Sequence, residues 1–226
     1  MIQMTRPSQS FVREAFAALV PEAREQYQAR RFAQMDRAID GSQIRGALSR
    51  LLPIVRRYAE QSLRPPEGSG HAFNGGYRYE RIDPGVPQSS FAREEDTFVR
   101  QAFEDSGLNR LVGELWDSTS ESLNEIVGTR LALDRCFLLR YRERDYIAPH
   151  GDSQKNGRVL VQLPVPFNTV GVFRAMTGEW FEDFYDRSGS LRILGPGIIH
   201  EVPPVLRTNP EADPERIIVT IRLRPA

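Results

Sequence analysis

The chain changes hydrophobic period near its middle. In the first half, apolar residues recur every three or four positions. Phe11, Val12, Ala15, Phe16 and Leu19 predict a helix that Ser10 could cap; residues 22–39 continue in helical style, and Gly41 is a plausible stop. Ile44, Ala47, Leu48, Leu51, Leu52, Val55 and Tyr58 form a second stripe, with a kink expected at Pro53. A shorter helix is expected over 91–104. Leu108, Leu111, Val112, Leu115, Trp116, Thr119, Leu123 and Ile126 form a further stripe that Gly128 would end. Such stripes read as core packing rather than cofactor contacts.

Beyond residue 130 the segments become short, β-branched and aromatic: RLALDRCFLLRY, RVLVQLPVPF, VGVFRAM, EWFEDFY, SLRIL, IIHEV and RIIVTIRL. In the last, Arg216, Thr220 and Arg222 alternate with Ile217, Val219 and Ile221, as on a strand with two unlike faces. Helices followed by strands predict an α+β fold, with N-terminal helices packed on one face of an antiparallel sandwich or jelly roll. A single domain over 1–226 is expected: mainly helical support over 1–130 and a jelly-roll core over 131–226. Residues 65–90, rich in Gly, Pro and Ser, predict a long loop or irregular hairpin, of the kind that serves as a lid.

Composition narrows the class. The 226 residues are 40% apolar and 27% charged, as in a folded soluble domain. Thirty basic residues balance thirty acidic ones, and no basic stripe appears, which argues against a nucleic-acid partner. Cys136 is the one cysteine, so neither an intrachain disulfide nor a thiolate zinc site can form. No apolar run approaches the ~20 residues that span a bilayer, and no secretory signal is evident. The expectation is a cytoplasmic protein with no membrane contact.

Candidate chemistry lies in the strand-rich half. His150 and Asp152 are two residues apart, a spacing that points both side chains to one face of a strand. His200 follows Gly195-Pro196-Gly197 on a strand about fifty residues later. Two imidazoles and a carboxylate can hold a divalent metal on one side and leave the other open, a set suited to Fe(II) and also known with zinc.

The strings around these residues resemble the Fe(II)/2-oxoglutarate-dependent dioxygenase superfamily, most of all its prolyl-4-hydroxylase-like branch. Tyr141 stands nine residues before His150, and SLRILGPGIIHEVPPV frames His200 with Val202 and Val205 in the family manner. The resemblance covers roughly 132–224. It implies a double-stranded β-helix (a cupin-like jelly roll) with His150, Asp152 and His200 as metal ligands. It also implies Fe(II), O2 and the co-substrate 2-oxoglutarate, whose far carboxylate Arg216 and Tyr141 would bind. Two features depart from the pattern. Ile218 stands where many members have a serine, and the interval from His200 to Arg216 is lengthened by TNPEADPE. Arg222 and Arg192 are the other candidates for the carboxylate.

The reaction implied is oxidation of a substrate coupled to decarboxylation of 2-oxoglutarate to succinate. Related halogenases replace the carboxylate ligand by a small residue. Asp152 therefore favours hydroxylation, desaturation or ring closure over halogenation. A small metabolite, such as an amino acid or a natural-product intermediate, is the expected substrate. A peptidyl-residue hydroxylase and a non-catalytic metal-binding jelly roll are the alternatives. Candidate substrate contacts are Asn74, Tyr77, Arg78 and Arg81, then Ser153, Gln154, Lys155 and Asn156, then Phe173, Arg174, Trp180 and Phe181. His71 reads as a non-ligand.

Overall fold

A computed structural model of the chain describes residues 10–62, 77–84, 93–152, 157–212 and 214–226. Four helices are present among them: α1 (Phe16–Arg30), α2 (Gly41–Ser62), α3 (Arg93–Asp105) and α4 (Leu108–Val127). The first seven strands are β1 (Phe32–Met35), β2 (Tyr77–Arg78), β3 (Glu80–Ile82), β4 (Leu131–Tyr141), β5 (Tyr146–Gly151), β6 (Val159–Phe167) and β7 (Thr169–Val170). Six more follow: β8 (Val172–Met176), β9 (Phe181–Tyr185), β10 (Leu191–Leu194), β11 (Ile199–Val202), β12 (Leu206–Arg207) and β13 (Glu215–Pro225).

The strands form a six-stranded antiparallel sheet, β1-β10-β6-β13-β4-β3, and a five-stranded one, β2-β5-β11-β8-β9; β12 pairs with β7 alone. Alternation along β13 separates two environments. Ile217, Val219, Ile221 and Leu223 join the buried residues of all four helices in one apolar core. Ile218 faces the other way, into a second core shared with Ile147, Phe173 and Val202 of the five-stranded sheet. Helices therefore cover one face of the larger sheet, and its other face packs on the smaller sheet. Pro164 and Pro166 sit in β6 opposite Ile218 and Arg216 of β13. They lie beyond the end of the short β10, whose register with β6 covers only 160–162. On the β10 side a missing N–H there breaks no ladder.

The helical stripe of α4 is buried as its period predicts, and Gly128 ends it at φ 78°. Glycine tolerates that left-handed backbone. The N-terminal expectation needs correction. The first helix begins at Phe16, while Val12 bridges to Ile39. The stretch 22–39 is not continuously helical: Arg31 turns left-handed at φ 58°, and Phe32–Met35 pair antiparallel with β10. Gly41 begins α2 rather than stopping a helix, and Asp40 accepts from the Ser42 N–H and hydroxyl there. α2 runs through Pro53. Within 65–90, the described residues 77–84 form no hairpin of their own. β2 joins β5 in one sheet, and β3 joins β4 in the other.

Candidate metal centre and its cavity

β5 and β11 are antiparallel neighbours in which His150 and His200 are direct Cα partners. Their ring centroids lie 4.2 Å apart. Asp152 follows β5, and its Oδ2 is 3.8 Å from His200 Nε2. One ligand atom from each of the three lies within 4.8 Å of the others. The register shifts between His200 and Val202, an irregularity of the kind that re-aims a side chain beside a site.

Each ring is held by a backbone carbonyl two residues earlier in the chain. His150 Nδ1 lies 3.0 Å from the Ala148 carbonyl oxygen, and His200 Nδ1 lies 3.1 Å from that of Ile198. A carbonyl oxygen only accepts, so Nδ1 must carry the proton in both rings. Nε2 then keeps its lone pair, which is the arrangement a metal ligand needs. His200 is 4% exposed and stacks on Phe173 at 5.3 Å. Burial pushes its imidazolium down to about 4; nearby Asp152 opposes the shift and His150 adds to it. The ring is neutral at physiological pH.

A cavity of about 100 Å³ extends from this cluster between the sheets. Its lining includes Tyr141, Arg216, Ile218 and Thr220 from the larger sheet and Phe173 from the smaller. Arg216 and Tyr141 are Cα partners across β13 and β4, and the guanidinium sits over the phenol ring at 5.1 Å. Burial pushes the Tyr141 phenol well above its usual range, against the pull of Arg216, so its hydroxyl remains a donor. Arg216 is fully buried and ion-paired through Nε and Nη2 with Asp186. Its Nη1 is buried with no hydrogen-bond partner.

The other arginine candidates lie elsewhere. Arg222 is ion-paired with Asp134 and does not line the cavity. Arg192 is fully buried but has its nitrogens on Gln34, the Phe184 carbonyl and Asp186. Of the proposed substrate contacts, Arg81 and Phe173 line the cavity. Arg78 does not; it pairs at 3.1 Å with Asp145, a fully buried acid. Trp180 does not either, being 78% exposed in the turn between β8 and β9. Arg174 is tied to Asp183 and Glu201. Asn74, His71, Ser153, Gln154, Lys155 and Asn156 lie outside the described residues, as does the Tyr77 side chain.

Sequence reasoning missed three polar residues here. Gln162 is 5% exposed and lines the cavity, and it is the lone polar residue in VLVQLPV, a signal that was legible. Thr220 is fully buried with an unpartnered hydroxyl, four residues after Arg216 on the same strand face. Asp186 carries no sequence signal at all.

No protein-family model and no curated protein matches the chain. Solved structures do. The epimerase SnoN from nogalamycin biosynthesis, described as non-heme and alpha-ketoglutarate dependent, superposes with a TM-score of 0.58 at 13% identity, over 93% of this chain and 84% of that one. A Pseudomonas putida prolyl-4-hydroxylase gives 0.54 at 18% identity, over 92% and 99%. A Trichoplax adhaerens prolyl hydroxylase, solved with a hypoxia-inducible-factor peptide, gives 0.54 at 12% identity, over 96% and 94%. The fold of this chain is thus similar to that of 2-oxoglutarate-dependent oxygenases, prolyl-4-hydroxylases among them, the superfamily its His150–Asp152–His200 strings resemble.

Proposed function

We propose that this protein is an Fe(II)/2-oxoglutarate-dependent oxygenase built on a jelly-roll core, which oxidises a small organic molecule. The observation that carries this reading is the convergence of His150, Asp152 and His200 beside a cavity that also holds a buried arginine. The donor set fits the metal: two imidazoles with free Nε2 atoms and one carboxylate suit Fe(II) and leave positions for other ligands. When bound, Fe(II) with 2-oxoglutarate and O2 supplies the oxidation of a substrate C–H bond while the co-substrate loses CO2.

The chain's own residues do the positioning. Arg216 Nη1, lacking an acceptor, would receive the far carboxylate of the co-substrate, and the Tyr141 hydroxyl would donate to it. Ile218, Phe173 and Val202 exclude water between that carboxylate and the metal ligands. The cavity, at about 100 Å³, is small, so the interior suits a compact co-substrate rather than a bulky organic substrate. The organic substrate must then approach from the side on which Asp152 is 45% exposed. One solved SnoN complex holds Fe3+, alpha ketoglutarate and a nogalamycin derivative together. That supports a small natural product here.

The test is incubation of iron-loaded protein with 2-oxoglutarate and a panel of amino acids and natural-product intermediates, following succinate and product mass. A product 16 mass units heavier, absent in His200→Ala, is expected for hydroxylation. A metal-loaded protein that binds no 2-oxoglutarate would sink the reading.

A further inference from the structure

We propose that Arg192 and Asp186 are positioning residues that set the charge and the open edge of the anion subsite at Arg216, and so select a dicarboxylate over a monocarboxylate 2-oxo acid. The inference rests on the function proposed above and concerns residues that need not touch the co-substrate.

The geometry is a three-residue buried cluster. Asp186 has no exposed side-chain surface, and neither have Arg192 and Arg216. Asp186 takes the side of the Arg216 guanidinium formed by Nε and Nη2, with Oδ1 3.1 Å from Nη2. A guanidinium has a second bidentate edge, formed by its two terminal nitrogens. That edge contains Nη1, which is buried with neither a hydrogen-bond partner nor an ion pair of its own, whereas Arg192 Nη1 lies in ion-pair contact with Asp186. Asp186 therefore leaves the end-on edge as the place for a second carboxylate.

Charge completes the argument. Burial would raise the Asp186 pKa, but Arg216 and Arg192 hold it below the usual carboxylate range, so it is ionised. Asp186 and Arg216 alone would be neutral, and a buried carboxylate added to them would be an uncompensated anion. Arg192, its Nη1 2.6 Å from Asp186 Oδ1, brings the trio to one net positive charge. That matches one incoming carboxylate. Arg192 acts through Asp186, because its other nitrogens already bond Gln34 Oε1 at 2.8 Å and the Phe184 carbonyl at 3.0 Å. The remaining acid near it, Asp36, is paired with Arg187 at 2.8 Å.

The test is calorimetric binding of 2-oxoglutarate and of pyruvate, which lacks the far carboxylate, to Mn(II)-loaded protein. Arg192→Gln makes the trio neutral and should weaken 2-oxoglutarate at least tenfold while leaving pyruvate unchanged. The double variant Asp186→Asn/Arg192→Gln restores one positive charge and should bind 2-oxoglutarate at least threefold more tightly than Arg192→Gln; Arg192→Lys should stay within threefold of wild type. Should Arg192→Gln fail to fold, the double variant and Arg192→Lys are each read against wild type, and a tenfold loss in Arg192→Lys overturns the assignment. Equal weakening of both ligands in Arg192→Gln, or no weakening of 2-oxoglutarate, overturns the charge assignment alone. Failure of the wild-type protein to bind 2-oxoglutarate overturns the proposed function and this inference with it.

Discussion

His150 and His200 stand directly opposite each other on β5 and β11, each with Nδ1 held by the carbonyl two residues earlier in the chain. Both rings are thereby set in one tautomer before any metal arrives. Replacing either histidine or Asp152 by alanine removes one of three converging ligand atoms. Outer-sphere partners alone are commonly worth about 10–100-fold in metal affinity. Each of these variants should lose at least that much, measured by competition with a chromogenic chelator. Unchanged affinity in all three would place the metal elsewhere.

The buried, neutral His200 gives the metal-free protein an acid sensitivity. Its folded pKa of about 4 is below the ordinary 6.5, so the unfolded chain binds the proton more readily. Stability is full above pH 6.5 and falls as pH drops through 6.5 towards 4, by on the order of 3 kcal/mol at most from this group. Denaturant midpoints between pH 7 and 4.5 should fall more steeply in wild type than in His200→Gln. Parallel slopes would refute this.

Tyr141→Phe should leave the melting temperature within a few degrees of wild type, because the ring packing on Arg216 remains. It should raise the KM for 2-oxoglutarate by about tenfold or more, the effect of losing one hydrogen bond of about 1.5–3 kcal/mol to a charged group. A KM equal to that of wild type would remove Tyr141 from the co-substrate site.

Thr220→Val replaces a buried, unpartnered hydroxyl with a methyl group. The ligand-free protein should gain about 1 kcal/mol by chemical denaturation, since the desolvated hydroxyl is uncompensated. A loss of stability would mean that the hydroxyl is satisfied by ordered water in the cavity.

Gly171 is required by the buried Asp186–Arg216 pair. A Cβ built there would lie 1.9 Å from Asp186 Oδ2 and 2.9 Å from Arg216 Nε. Gly171→Ala should therefore cost about 1–3 kcal/mol and lower the melting temperature by several degrees. Combining it with Asp186→Ala should shrink that loss; an undiminished loss would mean that the clash lies elsewhere.

Local pattern carried much of this protein. The buried stripe from Leu108 to Ile126, the stop at Gly128 and the two-faced alternation of β13 were all readable, because helix and strand periods are properties of consecutive residues. Phe32–Met35 was not. Four residues are too few to show a period, and their strand character comes from pairing with β10, some 160 positions away. Arg78 and Trp180 looked like substrate contacts only because they were polar or aromatic near turns. Pairing with Asp145 and the geometry of the β8–β9 turn take them away from the cavity.

The same division holds for the site. By itself the sequence offered the candidate ligands, through the two-residue spacing of His150 and Asp152 and the strings around them and His200, and it placed Arg216 and Thr220 on a common strand face. Only the tertiary structure decided that His200 stands opposite His150, that Arg216 rather than Arg222 reaches the cavity, and that Asp186 and Arg192 surround it. Those are contacts between strands distant in the chain. They depend on sheet register and on how buried charges find partners, and neither leaves a periodic trace in the sequence.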